Sequence, residues 1–424
     1  MQLAMQFTQL DHLLNAAAPS VAPAVVCRVE QAGRLLFERG YGWINPMLKR
    51  QPVEAGTLFD LASLTKLFTT TACLRMWDAG LLDLDQPVAA LVPGFSGLRS
   101  VGDVEDPITQ LPAPPPAAWQ DYPHPIDLSA ITLRHLLTHT SGLPAWRSLY
   151  RAAGPAPERP SSLHRAELLR RQMVGLNVIL QTELAYPPGE SYLYSDVGLI
   201  LLGHALTRCT GDVTLAETIV NWVTGPLALE AHFNPSCLLV DRIAPTEFCP
   251  WRQRRLHGEV HDENAAGLGG IAGHAGLFGT AADLCKLGNL YLAHGQLADS
   301  GRLLARRTVD ESISLQVEAE AAGLPLHARP VPASPAGGAL TLAAGTRRGL
   351  GWMLRSDPDP SCSTEFGPRS FGHTGYTGTS LWCDPDRELV VALLTNRVYH
   401  GRNPEAIARL RPAVHAAVVA GLRR

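Results

Sequence analysis

Strand-like segments lie at both ends of the chain and helical patterns fill the middle, which limits the folds that the chain can adopt. Near the start, Ala24–Glu30 and Leu35–Ile44 flank a glycine-containing turn and indicate a β-hairpin. Near the end, four strand-like segments are followed by a helical pattern: Gly349–Arg355, Ser370–Thr374, Thr379–Asp384, Glu388–Thr395 and Pro404–Arg423. The two ends are expected to share one antiparallel sheet.

The middle of the chain and the first 19 residues have helical rather than alternating patterns. The helical patterns of the middle are Ser63–Ala79, Leu133–Thr138, Ser161–Thr182, Ser195–Thr210, Leu215–Val223 and Ala281–Ala293. We therefore predict an α/β (α+β) fold, in which terminal helices flank an antiparallel sheet and a mainly helical region is inserted. One domain, 1–424, would comprise a sheet region (about 1–57 and 295–424) and a helical region (about 58–294). The irregular stretches Ser96–Leu128 and Ala321–Thr346 are expected to be surface excursions.

Charge and cysteine usage exclude several classes of partner. The formal net charge is -3 and no block of like charge stands out, so nucleic acid is not an expected partner. The sequence contains no run of about 18 apolar residues, so no membrane span is predicted. The start lacks a secretory signal, which favours a cytoplasmic location, although a mature exported form would look the same. Eight dispersed cysteines indicate reduced, mostly buried thiols rather than a disulfide framework or zinc site.

The segment Ser63–Lys66 places a serine and a lysine three residues apart at the start of a helical pattern. On a helix this spacing brings both side chains to one face, near enough to exchange a proton. A lysine whose pKa is lowered by desolvation can activate a serine hydroxyl, and a helix N-terminus offers free N–H groups to developing negative charge. The alternative is a helix-capping serine beside a surface lysine.

The segment Pro187–Asp196 is a proline- and glycine-containing turn that leads into another helical pattern. Tyr194 offers a phenol for proton transfer, and Asp196 offers a carboxylate to hold Lys66 or orient a substrate amide. The alternative is a buried structural tyrosine, with Ser195 or Asp196 as a helix N-cap.

The segment Phe371–Gly378 lies between two strand-like stretches and presents His373 and Thr374 as polar groups. Its glycines, including Gly375, let a substrate approach the strand backbone closely. A backbone N–H of this segment and that of Ser63 would form an oxyanion hole. The alternative is a structural hairpin with a hydrogen-bonded imidazole.

Together and in this order, the three segments resemble the serine β-lactamase and penicillin-binding-protein superfamily, most closely its class C β-lactamase-like branch. Ser63–Lys66 is similar to the Ser-x-x-Lys motif, Tyr194–Asp196 to Tyr-x-Asn, and His373–Gly375 to Lys-Thr-Gly or His-Thr-Gly. Further similarity covers Thr57–Asp60, Gly80–Asp85 and Leu136–Pro144, so the resemblance spans nearly the whole chain.

The resemblance implies a role for each matching residue. Ser63 would be acylated by the substrate, while Lys66 and Tyr194 share general acid–base duty. The N–H groups of Ser63 and Tyr376 would form the oxyanion hole, and Thr374 and Gly375 would bind substrate. No cofactor and no metal are expected.

Two positions depart from the family pattern. Asp196 stands where asparagine is usual, and its carboxylate would keep Lys66 protonated and shift the basic role toward Tyr194. His373 stands where class C β-lactamases have lysine, which weakens a fixed positive charge expected to receive a substrate carboxylate. Efficient β-lactam hydrolysis is therefore not the favoured activity.

A fourth region contains Val260–Ala265 (VHDENA) and Gly273–Phe278 (GHAGLF). Both look like segments of a peptidoglycan-related subgroup, whose members include a muramyl-peptide amidase and a penicillin-binding protein with weak D-alanyl carboxypeptidase activity. His274 is expected to reach substrate. The alternatives are a metal site formed by His261, Asp262 and His274, or a hydrogen-bonded loop.

These features favour a serine hydrolase that forms an acyl-enzyme on Ser63 and cleaves an amide bond in peptidoglycan-derived peptides or muropeptides. Amidase and D-alanyl carboxypeptidase activities both fit this reading. The alternatives are a carboxylesterase like those of family VIII, a weak β-lactamase, and a catalytically inactive muropeptide-binding protein. The expected partner is a small-molecule or peptide substrate, and the oligomeric state is left open.

Overall fold

The protein is represented by a computed structural model, which describes residues 6–297, 301–319, 346–356 and 361–423. Helices lie at α1 Thr8–Ser20, α2 Thr65–Asp78, α3 Leu133–Thr138, α4 Leu149–Ala153, α5 Arg165–Gln181, α6 Asp196–Thr210, α7 Leu215–Ile219, α8 Glu263–Gly267, α9 Ala281–Leu292, α10 Arg306–Ser312 and α11 Glu405–Leu422. Strands lie at β1 Ala24–Gln31, β2 Arg34–Gly42, β3 Phe59–Asp60, β4 Leu98–Arg99, β5 Val104–Glu105, β6 Pro112–Ala113, β7 Ile126–Asp127, β8 His232–Phe233, β9 Phe248–Cys249, β10 Arg254–Arg255, β11 Leu277–Gly279, β12 Val317–Ala319, β13 Thr346–Arg348, β14 Met353–Leu354, β15 Phe371–Thr374, β16 Ser380–Asp384 and β17 Leu389–Thr395. The predicted excursion Ala321–Thr346 falls outside the described residues except for its last residue.

The two ends of the chain meet in one large antiparallel sheet, as the sequence predicts. Within the described ranges its strand order is β12-β13-β14-β15-β16-β17-β1-β2. The N-terminal hairpin joins the C-terminal strands through β1 and β17, with Val25 opposite Thr395 and Gln31 opposite Leu389. The predicted hairpin of β1 and β2 is also present.

Strand β17 shows why the sheet is covered on both faces. Its successive side chains point to opposite faces, and all of them are apolar except the last. The side chains facing the helical region are Val390, Ala392 and Leu394, and those facing the terminal helices are Leu389, Val391 and Leu393. Helices α1 and α11 cover the second face with Leu10, Leu14, Leu410 and Val414. The predicted flanking by terminal helices is confirmed.

Helix α9 lies in the stretch predicted to be helical, yet it packs directly on the sheet. A Cβ at Gly288 would lie 2.8 Å from Val390 Cγ1 and 2.9 Å from Cys383 Sγ, so the absence of a side chain lets helix and sheet approach closely. Its N-terminus has a capping box formed by Thr280 and Asp283.

Three predicted segments differ from the observed elements. The helix expected over Leu215–Val223 leaves α geometry after Ile219 and continues as one π turn. The strand expected over Gly349–Arg355 is reduced to β14, because Gly351 has a φ of 72°, outside the extended region. The stretch Ser96–Leu128 is not wholly irregular, since β4 pairs with β7 and β5 with β6.

Six of the eight cysteines are buried, as the sequence predicts. In the part of the chain that the structure describes, no helix combines the length and apolar character needed to cross a bilayer.

Candidate active site

Ser63 lies in a short 3-10 turn, Ala62–Leu64, that leads into α2. The helix itself begins at Thr65, two residues later than predicted, because Ser63 and Leu64 belong to the 3-10 turn, whose first residue, Ala62, has a φ of 48°. The left-handed region is uncommon for a residue with a Cβ, and such strain is concentrated at functional sites. Asp60 supports the turn, since its Oδ1 accepts the Ala62 N–H at 2.9 Å.

Lys66 is buried beside Ser63, with 1% of its side chain exposed. Its Nζ donates to Ser63 Oγ at 2.8 Å and to the carbonyl oxygen of His274 at 3.3 Å, and lies 2.8 Å from Asp196 Oδ1. Two of the three ammonium donors have hydrogen-bond acceptors, and the Asp196 carboxylate forms an ion pair with the charge. The alternative of a surface lysine is therefore wrong.

The surroundings of Lys66 favour its charged form. Burial opposes the charge, but the Asp196 carboxylate and Tyr194 outweigh burial, so the pKa of Lys66 is raised above its ordinary value. Lys66 is thus an ammonium at neutral pH, a state in which it cannot accept the hydroxyl proton of Ser63.

Tyr194 lies beside the ammonium and between two imidazoles. Lys66 Nζ is 4.8 Å from the centre of the phenol ring. The ring centres of His139 and His373 are 4.6 and 6.1 Å from that of Tyr194. Burial is the first cause of a pKa well below the usual range for both histidines, and the charges of Arg348 and Lys66 add to it. Both imidazoles are therefore neutral near pH 7.

His139 holds the backbone between the tyrosine and the aspartate. Its Nδ1 accepts the N–H of Ser195 at 3.1 Å, and Ser195 Oγ caps α6 by accepting the Gly198 N–H at 3.0 Å. The predicted cap is therefore Ser195, which leaves the Asp196 carboxylate for Lys66. Sequence reasoning missed this role of His139.

His373 is buried on β15 and is held by its own main chain. Its Nδ1 lies 2.9 Å from the carbonyl oxygen of Thr374. If Nδ1 carries the proton of the neutral ring, Nε2 is a lone-pair acceptor. No partner for Nε2 is present among the described residues. Thr374 is half-buried at the end of the same strand.

The turn after β15, Gly375–Thr379, is tied to the backbone that precedes Ser63. Thr377 Oγ1 donates to Asp60 O at 2.7 Å, and Thr379 Oγ1 donates to Leu61 O at 3.1 Å. A Cβ at Gly375 would lie 2.0 Å from Thr379 Oγ1 and 2.7 Å from Leu61 O, so this approach requires glycine. The turn therefore brings the Tyr376 main chain toward Ser63.

The N–H groups of Tyr376 and Ser63 lie on the two segments that this turn joins. Among the described residues, neither group donates to a backbone carbonyl outside its own helix or strand. Adjoining segments thus carry the two proposed oxyanion-hole donors.

His274 is placed differently from the expectation that its side chain reaches substrate. Its side chain is 1% exposed, and its Nε2 lies 2.9 Å from Asp262 Oδ1, while its carbonyl oxygen accepts from Lys66. Asp262 also caps α8 by accepting the Ala265 N–H at 2.7 Å. His274 therefore contacts Lys66 through its backbone.

The alternative metal site is rearranged in the structure. His261 Nε2 lies 3.1 Å from Glu247 Oε1 rather than beside His274. In the described ranges, Asp196, Asp262 and His274 instead have ligand-type atoms within 4.8 Å of one another. A divalent cation there would compete with the Lys66 ammonium for Asp196, so these residues fit an ion-paired network better than a metal centre.

Arg348 is a neighbour of the site that the sequence did not indicate. It lies on β13 and is 5% exposed, with its guanidinium carbon 5.3 Å from the ring centre of Tyr194. Its Nε and Nη1 are buried and have no acceptor among the described residues. Arg348 follows a proline- and glycine-rich stretch, and no sequence pattern there predicts that its side chain lies beside Tyr194.

Comparisons with known proteins identify the family of the chain. The beta-lactamase family model matches residues 14–415. A provisionally named D-alanyl-D-alanine carboxypeptidase of Escherichia coli (strain K12) is 27% identical, covering 92% of this chain and 82% of that protein. The N-acetylmuramyl-L-alanine amidase of Bacillus subtilis (strain 168) is 28% identical, covering 92% and 80%. A penicillin-binding protein homologue from Caulobacter crescentus has a similar fold, with a TM-score of 0.65, 17% identity and 97% coverage of both chains. The chain belongs to the beta-lactamase family and is a serine hydrolase.

Proposed function

We propose that this serine hydrolase cleaves an amide bond in peptidoglycan-derived peptides through an acyl-enzyme on Ser63. The observation that carries the proposal is the position of Lys66 Nζ, 2.8 Å from both Ser63 Oγ and Asp196 Oδ1. The substrate class is supported by the names of the two relatives, a D-alanyl-D-alanine carboxypeptidase and an N-acetylmuramyl-L-alanine amidase.

In the acylation step, Tyr194 acts as a phenolate beside the Lys66 ammonium: Ser63 Oγ attacks the amide carbon and its proton passes to this phenolate, which becomes a neutral phenol. We assign the base role to Tyr194 because Lys66 already holds its proton. The negative charge that develops on the carbonyl oxygen is received by the N–H groups of Ser63 and Tyr376. Tyr194 then protonates the leaving nitrogen, the C–N bond breaks, and an ester to Ser63 remains.

In the deacylation step, water attacks this ester. Its proton passes to the Tyr194 phenolate, which then delivers it to the Ser63 oxygen as the ester C–O bond breaks and the acid product leaves. Lys66 remains an ammonium throughout and stabilises the negative charge that forms beside it. The neutral imidazole of His373 contributes no charge to the site.

Arg348 supplies a positive charge that His373 does not, so it is proposed to receive a substrate carboxylate. We expect Arg348→Gln to lower kcat/KM for a peptide with a carboxylate near the scissile bond by about 10- to 100-fold, because a hydrogen bond to a charged group contributes about 1.5–3 kcal/mol. Turnover of a neutral ester should change less than about threefold.

A matched control for this prediction is Arg347→Gln. Arg347 is the next residue on β13, and its side chain points to the other face of the strand, 3.4 Å from Glu318. Steady-state kinetics on both substrates separates the two arginines. Equal losses for the anionic peptide in both variants would contradict a carboxylate site at Arg348.

The proposed function is tested by exposing the purified protein to a fluorophosphonate, a penicillin and a muropeptide mixture. Intact-mass measurement is expected to detect the fluorophosphonate adduct, and peptide mapping should place it on Ser63. Chromatography should show muropeptide cleavage, and p-nitrophenyl acetate should turn over at least about 100 times less efficiently than muropeptide in kcat/KM.

Two other outcomes of that experiment would replace the proposal. Fast ester turnover without muropeptide cleavage would identify a carboxylesterase. Muropeptide binding without any acylation of Ser63 would identify an inactive muropeptide-binding protein.

A further inference from the structure

Arg411 lies on the far side of the sheet from Ser63, yet it contacts the turn that carries Tyr376. It belongs to α11 and is 9% exposed. Its Nη2 donates to the carbonyl oxygens of Gly375 and Thr379, each at 2.9 Å. These two carbonyls belong to the first and last residues of the turn, so one guanidinium spans the turn from behind.

The Gly375 carbonyl belongs to the same peptide group as the Tyr376 N–H. This peptide is trans, so its C=O and N–H point in opposite directions. The carbonyl points to the layer of α11, where Leu410 and Val414 pack, and the N–H therefore points toward the layer that contains Leu61. Anchoring the carbonyl thus aims the N–H at the side of the sheet where Ser63 lies.

The charge of Arg411 is not neutralised by a neighbouring carboxylate among the described residues. Burial, and next the charge of Arg397, lower the pKa of Arg411 to about 9, so the group is still charged near pH 7. A buried cation without a counter-ion is costly, and two carbonyl dipoles are its observed hydrogen-bond acceptors. A cation at a carbonyl oxygen draws electron density from the amide and makes the N–H a stronger donor.

The field of Arg411 extends to the active site. Arg411 is among the cations that lower the pKa of His373, after burial, Arg348 and Lys66. We propose that Arg411 is a positioning residue whose guanidinium orients and polarises the Gly375–Tyr376 peptide, so that the Tyr376 N–H stabilises the oxyanion formed on the substrate. This inference rests on the proposed acylation of Ser63.

The experiment compares Arg411→Lys, Arg411→Gln and Arg411→Met with the wild type. Turnover of p-nitrophenyl acetate and inhibition by phenylboronic acid, which adds to a serine hydroxyl as a tetrahedral anion, are measured for each. We expect Arg411→Met to lower kcat by about 10- to 100-fold and to weaken boronic acid binding by a similar factor, with KM changed less than about twofold. Arg411→Lys should be faster than Arg411→Gln, because lysine keeps the charge and glutamine keeps only a donor.

The matched control is Arg409→Met, an exposed arginine on the same helix, which should leave kcat unchanged. Thermal denaturation checks the folding of every variant. Equal kcat in folded Arg411→Lys and Arg411→Gln, or an effect on KM alone, would overturn the inference. Loss of folding in all three variants would do the same, since it assigns Arg411 to stability only.

Failure of this inference is distinguishable from failure of the proposed function. If fluorophosphonate labels Ser63 of the wild type but the Arg411 variants turn over normally, only the role of Arg411 is rejected. If the wild type is not labelled, the proposed acylation is rejected and the role of Arg411 falls with it.

Discussion

Replacing Ser63 by alanine is expected to abolish hydrolysis of every substrate, with kcat reduced by at least about 10⁴-fold. The reason is that no other nucleophile is proposed to form the acyl-enzyme, and loss of a serine nucleophile in other serine hydrolases has effects of this size or larger. Turnover of p-nitrophenyl acetate and intact mass after fluorophosphonate treatment are the measurements, and the adduct should be missing from Ser63→Ala.

The same variant should remain folded. Ser63 is half-buried in a 3-10 turn, and its hydroxyl oxygen accepts a hydrogen bond from Lys66 Nζ. Truncating it changes little packing, so the free energy of unfolding should change by less than about 1 kcal/mol. Ser161→Ala, at an exposed serine before α5, is the control and should behave as wild type. Full activity of Ser63→Ala would remove this residue from the mechanism.

The central part of the fold was predictable because burial leaves a repeating pattern. Strand β17 is buried on both faces, and this requires the continuous apolar run that the sequence shows. The edge of the sheet was harder to predict. Strands β13 and β14 are three and two residues long, too short for an alternating pattern, and Gly351 interrupts the predicted segment between them.

In the candidate site too, contacts between residues close in sequence were predictable and contacts between distant residues were not. The spacing of Ser63 and Lys66 is local, so helix geometry alone brings them together. Arg411 instead contacts Gly375 and Thr379, which are 36 and 32 positions away in the chain, and no local sequence pattern predicts such a contact. The orientation of His274 could not be predicted either, because it depends on the position of Asp262, which caps another helix.

Replacing Lys66 by methionine is expected to lower kcat by about 10³-fold for ester and peptide substrates alike. The ammonium donates to Ser63 Oγ and lies 4.8 Å from the ring centre of Tyr194. Its loss removes the hydrogen bond that orients the nucleophile. It also removes the positive charge beside Tyr194, the group that accepts the proton of Ser63. Lys66→Arg should not restore activity, since a guanidinium does not fit a side-chain site that is 1% exposed.

Lys286→Met, at an exposed lysine on α9, is the matched control and should keep wild-type kinetics. A Lys66→Met variant that retains more than about one tenth of the wild-type kcat would contradict an essential ammonium.

The charge state of Lys66 has its own signature in the pH dependence of acylation. Activity that needs the ammonium is lost as the pH rises through the pKa of Lys66. Asp196 raises that pKa and burial lowers it. Asp196→Asn removes the carboxylate, so the pKa of Lys66 should fall and the alkaline limb of the pH–rate profile should move to lower pH. Fluorophosphonate labelling rates between about pH 8 and 12, a range that includes the ordinary pKa of a lysine, measure the shift. If the alkaline limb instead stays at the same pH, the group that titrates is not Lys66. The requirement of acylation for the Lys66 ammonium would then be rejected.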